Sequence, residues 1–371
     1  MMNFDWSLYR DNIKGGGVPW LPERTIYMTR HGSHAYGTNL PTSDEDFRGL
    51  AIAPIRYYLG IQEGFEQAEM HEPVDLTVFE LRKFVKLAAE ANPNALEILF
   101  TDPADHVIEH PLMTPLFDAR EAFLSQKAKH TFSGYALAQM KRINTHYRWL
   151  KNPPPGAPTR AEFDLPQRTV IPADQLAAAQ ASIQKQIDRW SWHEMEGIEP
   201  ALRQALKDEF LRRLLEITQW GDDTLEERTW RAASRAVGYD TNFIELLDME
   251  RRYTGRLREW QNYQHWLKTR NPARAELEAK WGYDTKHAMH LVRLTRMCRE
   301  VLTEGVVRVK RPDAAELLEI RHGAWTYEQL VAYTAAQDVE LDALLVTTKL
   351  PKQPNREKLD QVCIEMIDGT R

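Results

Sequence analysis

Only two cysteines, Cys298 and Cys363, occur in 371 residues. They form neither a zinc-type spacing nor a disulfide framework, which fits a reducing compartment. No run of about 18 apolar residues occurs, so no membrane-spanning helix is expected. No early segment joins a positive start to an apolar stretch, so no leader is expected, and the expected location is cytoplasmic. Basic residues are not in excess: 48 Lys and Arg stand against 54 Asp and Glu, for a net charge of −6. That argues against a wholly basic nucleic-acid coat and leaves room for a local basic cleft. Internal repeats and low-complexity tracts are also lacking. What is present is a sufficient core: hydrophobic residues make up 43% of the chain, enough for roughly two domains of ~150 residues each. The eleven tryptophans are read chiefly as core, with a few available to stack on bases.

Along the chain, the first third alternates strand and helix signals. Thr25–Thr29, Phe47–Ala53 and Val74–Phe79 read as strands. In the third, Val74, Leu76 and Val78 share one face and Asp75, Thr77 and Phe79 the other. Leu81, Phe84, Val85 and Ala88 then recur at helical spacing, with a stop at Asn92-Pro93. Six prolines between Lys151 and Gln175 mark an extended loop. Helical periodicity follows over Ala173–Trp190, Glu199–Trp220, Ile244–Leu267, Lys286–Glu304 and Tyr327–Val346. The expected class is α+β: a small mixed β-sheet head with flanking helices, then a mostly α-helical C-terminal domain. The expected domains are 1–128 and 129–371, with the proline-rich loop at 151–175.

The chemistry concentrates in the stretch Arg30 to Gly49. Gly32-Ser33 follows a strand, where glycine lets backbone amides approach a ligand and the serine hydroxyl can meet a phosphate oxygen. Gly37-Thr38 offers a second turn with a second hydroxyl. With ten residues between, Ser33 is followed by Asp44 and Asp46, whose period-two spacing puts both carboxylates on one strand face, with Glu45 turned away. Paired carboxylates repel unless a cation lies between them. Mg2+ suits them, with Mn2+ as a substitute, and two such ions serve in-line phosphoryl transfer. A third carboxylate completes that layout: Asp75 is favoured, and Glu72 and Glu80 are rivals. His31 and His34 flank the first turn, placed either to touch phosphate or to pack it.

This stretch resembles the active-site signature of DNA polymerase β-type nucleotidyltransferases. More narrowly, it is similar to a bacterial and phage family described as the RNA-repair-pathway DNA polymerase β family. The helix pair Glu80–Phe100, the segment Gly134-Tyr135-Ala136 and the run Tyr283–Leu294 also resemble that family's motifs. The resemblance implies that Gly32 and Ser33 hold a nucleoside triphosphate. It implies that Asp44, Asp46 and Asp75 are catalytic and hold two Mg2+ ions. A hydroxyl would then attack the α-phosphate and release pyrophosphate, and the family's name implies an RNA acceptor.

Lys286, His290 and Arg293, at i, i+4 and i+7, form one helical stripe suited to a triphosphate or an acceptor backbone, with His287 beside it. Asp284, one turn earlier, is placed to cap or pair with it. A metal site from His287 and His290 lacks an obvious third ligand. Arg142 and His146, one turn apart and followed by Arg148, form a weaker acceptor-binding candidate, together with His287. Thr159-Arg160 in the proline-rich loop is placed to reach a ligand. Asn94 is expected to cap the short helix that holds Glu97. Transfer to a small molecule or a protein, synthesis of a nucleotide messenger, and a non-catalytic nucleotide-binding partner are the alternatives. Oligomeric state is not legible.

Overall fold

The computed structural model describes residues 4–12, 18–61, 64–190 and 225–370. The expected helix Glu199–Trp220 lies outside the described residues. Five strands form one mixed sheet: β1 Thr25–His31, β2 Asp46–Ala51, β3 Gln67–Met70, β4 Asp75–Glu80 and β5 His106–Glu109. Their order is β3-β4-β2-β1-β5. The β2/β4 pair is parallel, and the β1/β2, β1/β5 and β3/β4 pairs are antiparallel. The three strands expected from alternation are present within one or two residues of their expected ends. β3 and β5 are additions of four residues each, too short to show a pattern.

The helices used below are α1 Trp6–Asn12, α2 Gly32–Tyr36, α3 Leu81–Ala89, α4 Pro93–Leu99, α5 Lys127–Lys151, α6 Ala173–Arg189, α7 Leu225–Val237, α8 Thr241–Thr269, α9 Pro272–Trp281, α10 Thr285–Glu304, α11 Ala314–Arg321, α12 Tyr327–Thr347 and α13 Arg356–Asp368. The mixed sheet with flanking helices, followed by a mostly helical remainder, is the expected α+β class.

The chain divides into two compact units, 1–151 with 271–371, and 152–270. That division differs from the expected boundary between 128 and 129. In the first unit the sheet separates two cores. Met28, Phe47, Leu76 and Val78 join Tyr9 on one face. Tyr27 and Leu50 join Phe84, Leu96, Phe132, Leu291 and Val292 on the other. Strand periodicity sends Leu76 and Val78 to the first face and leaves Asp75 facing the helices. α10 is a core helix: Ala288, Met289, Leu291 and Val292 are fully buried. The 152–270 unit has its own small core of Ile183, Trp230, Ala233, Ile244 and Leu247.

The cap of α4 differs from expectation. Asn92 Oδ1, not Asn94, accepts from the amides of Asn94 and Ala95. Pro93 takes the first helical position, where its missing N–H costs nothing. Among the described residues no helix is long and apolar enough to cross a membrane.

Candidate active site

β1 ends at His31 and the chain turns into α2 through Gly32, whose φ is +63°. A Cβ at Gly32 would collide with Asp46 Oδ2. Glycine is therefore required both for the left-handed backbone and for the approach of that carboxylate. Ser33 begins α2 beside it. Gly37, also left-handed, ends α2, and the Thr38 amide bonds to Ser33 O at 2.9 Å. Thr38 is fully buried, and neither Gly37 nor Thr38 lines the cavity described below. These two residues, expected at the phosphates, shape the back of the turn instead.

Asp46 is in register with His31 on one side and with Asp75 on the other. Side chains in register on neighbouring strands share a face, so the carboxylates of Asp46 and Asp75 stand side by side. Burial raises the Asp46 pKa, Arg48 opposes that rise, and the charges of Asp75 and Asp44 add to it. Arg48, two residues along the same strand, holds Asp75 with Nη2–Oδ2 at 3.1 Å. The rivals are placed differently. Glu80 caps α3 by accepting from the Lys83 amide and also accepts from the Tyr58 hydroxyl, while Glu72 is exposed.

Behind the turn lies a buried hub that the sequence reading only touched. Glu97, fully buried on α4, accepts from the Tyr36 hydroxyl at 2.6 Å and pairs with Arg293 of α10. Its Oε2 is 3.4 Å from His31 Nε2. The Arg293 guanidinium lies 3.7 Å from the Tyr36 ring centroid. Burial holds His31 down to about 4, although Glu97 opposes it, so the ring is neutral near pH 7. Arg293, expected on a basic stripe suited to a triphosphate, lines the cavity described below but is buried and paired with Glu97, and so links α10 to α4 and α2.

A cavity of about 1150 Å³ opens over the turn and the acids, walled by α5, α9, α10 and α11. Gly32, Ser33, Asp44 and Asp46 line one end, and Arg142, Lys286, His287 and His290 line it further along. His146 does not line it; its Nδ1 is 3.4 Å from Glu278. Arg274 and Arg321, missed in the sequence, join Lys286 there. Lys286 is pushed down by burial and by the charges of Arg274 and Arg321, and Arg321 by burial and Arg274. Among the described residues neither Lys286 nor Arg321 has an ion-pair partner. Crowded, half-buried cations of this kind are relieved by an anion. His290 is held well below its ordinary pKa by burial and by Arg293 and Lys286, and so is neutral. Asp284 caps α10 through the His287 amide. His146, Glu278 and Asp284 bring ligand atoms within 4.8 Å of one another, but Arg274 already stands 3.9 Å from Asp284 Oδ2. In the other unit Arg160 is committed to Glu250 at 3.0 Å.

Residues 16–151 match the family described as RlaP, the RNA repair pathway DNA polymerase beta family. That likeness spans little more than a third of the chain. The matched span holds the sheet, the Gly32 turn, all three aspartates and α5, and leaves out the run Tyr283–Leu294 and the cavity residues of α9, α10 and α11. Two curated relatives are similar over shorter stretches. One is an uncharacterized 38.9 kDa protein of Enterobacteria phage T4, 33% identical over 89 residues, or 22% of this chain and 26% of the relative. The other is the uncharacterized protein YcgL of Bacillus subtilis, 31% identical over 81 residues, or 21% of this chain and 31% of the relative. The chain thus covers about a quarter to a third of their lengths. No solved structure matches significantly.

Proposed function

We propose that this protein is a polymerase β-like nucleotidyltransferase that adds a nucleoside monophosphate from a nucleoside triphosphate to an RNA 3′ end. The observation that carries the reading is that one cavity joins Asp44 and Asp46 at the turn, with Asp75 beside Asp46, to Lys286 and Arg321, which have no ion-pair partner among the described residues. The carboxylates suit cation-assisted chemistry at the α-phosphate. The cationic side chains suit the β- and γ-phosphates. The donor set suits a hard divalent ion, because it consists of carboxylate oxygens; burial raises the Asp46 pKa, Arg48 opposes that rise, and the charges of Asp75 and Asp44 add to it. Asp44, Asp46 and Asp75 would hold Mg2+, with Mn2+ as a substitute. When bound, the ions supply charge neutralisation at the phosphate oxygens.

The turn at Gly32-Ser33 positions the triphosphate with its amides and hydroxyl. The acceptor hydroxyl forms a new P–O bond to the α-phosphorus, the bond to the β-phosphate bridge breaks, and pyrophosphate leaves. The hydroxyl proton passes to a carboxylate or to solvent. The RNA acceptor is supported by the family's description and by a cavity larger than a single nucleotide fills, since ordinary ligand pockets run from about 300 to 1,000 Å³.

The test incubates purified protein with Mg2+, total cellular RNA and each α-labelled nucleoside triphosphate in turn, followed by gel and mass analysis. Wild type labels RNA 3′ ends with at least one nucleotide. Asp44→Asn and Asp46→Asn lower the rate by roughly a hundredfold or more, in the range seen when a group that stabilises transition-state charge is removed. Wild-type rates in either variant would refute the site.

A further inference from the structure

Gly134 sits in the middle of α5, a helix of 25 residues. Glycine there weakens a helix relative to alanine. Close packing would explain the choice, but a Cβ at Gly134 would meet nothing within 4 Å. Its φ is not left-handed either, so backbone conformation does not demand glycine. Gly134 does line the active-site cavity.

The cavity-facing ridge of α5 runs His130, Gly134, Ala138, Arg142, one residue per turn, all four exposed on that wall. Gly134 and Ala138, about 6 Å apart along the axis, make a flat, low stretch between two polar ends. Tyr135, which also lines the cavity, is held by the Asn92 Nδ2 donor at 2.9 Å. Four residues that line the cavity carry a buried polar atom with no hydrogen-bond partner among the described residues: His31 Nε2, Gln139 Oε1 on α5, Nδ1 of His287, a residue only 6% exposed, and Arg293 Nε. A flat apolar floor with unsatisfied polar atoms nearby matches a planar heterocycle that carries donors and acceptors.

We propose that Gly134 and Ala138 form the floor of a nucleobase subsite, and that Gly134 is glycine to leave room for that ring. The inference rests on the nucleotidyl-transfer reading and assigns a base to one wall of its cavity. The ring belongs either to the incoming nucleoside triphosphate or to the terminal nucleotide of the acceptor.

The probes are the four nucleoside triphosphates, inorganic tripolyphosphate, which has no base, and a short single-stranded oligoribonucleotide. Binding of each to wild type, Gly134→Leu and Ala138→Leu is measured by calorimetry with Mg2+, beside thermal melts. Gly134→Leu is expected to melt at or above wild type, because a helix-weakening residue has been replaced where there is open space. Its affinity for base-bearing ligand should fall at least tenfold, and tripolyphosphate binding should not change. Loss confined to the triphosphates assigns the ring to the incoming nucleotide; loss confined to the oligoribonucleotide assigns it to the acceptor. Ala138→Leu should show the same selective loss and carries the test if Gly134→Leu fails to fold. Folded variants that bind both ligand classes as wild type does would overturn the subsite alone. A wild-type protein that binds none of the base-bearing probes would overturn the nucleotidyl-transfer reading and this inference with it.

Discussion

Glu97 shows how much of the site depends on a residue that need not touch substrate. Its carboxylate is fully buried and joins Tyr36 of α2, Arg293 of α10 and the end of β1 at His31. Burying a lone guanidinium is far costlier than burying a paired one. Glu97→Ala is therefore expected to destabilise the protein by about 3–5 kcal/mol, measured by chemical denaturation. Replacing both partners, as in Glu97→Leu with Arg293→Met, should recover much of that loss. A single-variant cost near zero would show that the hub does not hold the turn. Little in the local residue pattern hints at this role. A glutamate on a short helix reads as a solvated residue, and Asn92-Pro93 was legible as the stop of α3 while the cap of α4 was expected too late, at Asn94 instead of Asn92.

Among elements, the turn between β1 and α2 carries the strongest constraint. Gly32 is left-handed, and any side chain there would meet the Asp46 carboxylate. Gly32→Ala is expected to cost at least about 1 kcal/mol from backbone strain alone. Because Asp46 must also move, transfer should fall at least about tenfold, in line with the sensitivity of catalysis to displacements of about 1 Å. Retained activity, measured in the RNA-labelling assay, would show that the close approach is dispensable. This element was legible in advance because its signals are local: a strand, a glycine, and two aspartates at period two. The pairing of Asp75 with Asp46 was legible only through alternation along β4, which set its face but not its register. Four-residue β3 and β5 carry too little pattern to be seen. The burial of Arg293 was missed because i, i+4, i+7 spacing defines a helix face without saying what packs against it.

At the scale of the molecule, the chain leaves the first unit at 151 and returns at 271. That return brings Arg274, Lys286 and Arg321 to the cavity that begins at the sheet. The expected boundary at 128 could not anticipate it, because no local signal marks a return across 119 residues. The net charge of −6 hides a cavity that Arg48, Arg142, Arg274, Lys286 and Arg321 line together with Asp44 and Asp46. The central proposal is that Asp46 is destabilising until a divalent cation joins it. The sign follows from Asp46. Its folded-state pKa is raised, so the native state binds that proton more tightly than the unfolded chain does. Stability falls as pH rises through the interval above the ordinary carboxylate value, and the cost stands in full at neutral pH.

Thermal melting at pH 7.5, with and without Mn2+, of wild type, Asp46→Asn and Asp75→Asn tests this most directly. With Mn2+ at about 100 times its dissociation constant, wild type should gain about 2.7 kcal/mol, and its melting temperature should rise by several degrees. Asp46→Asn should melt at or above metal-free wild type, and neither variant should respond to Mn2+. A Mn2+ response of wild-type size in both variants would contradict the account.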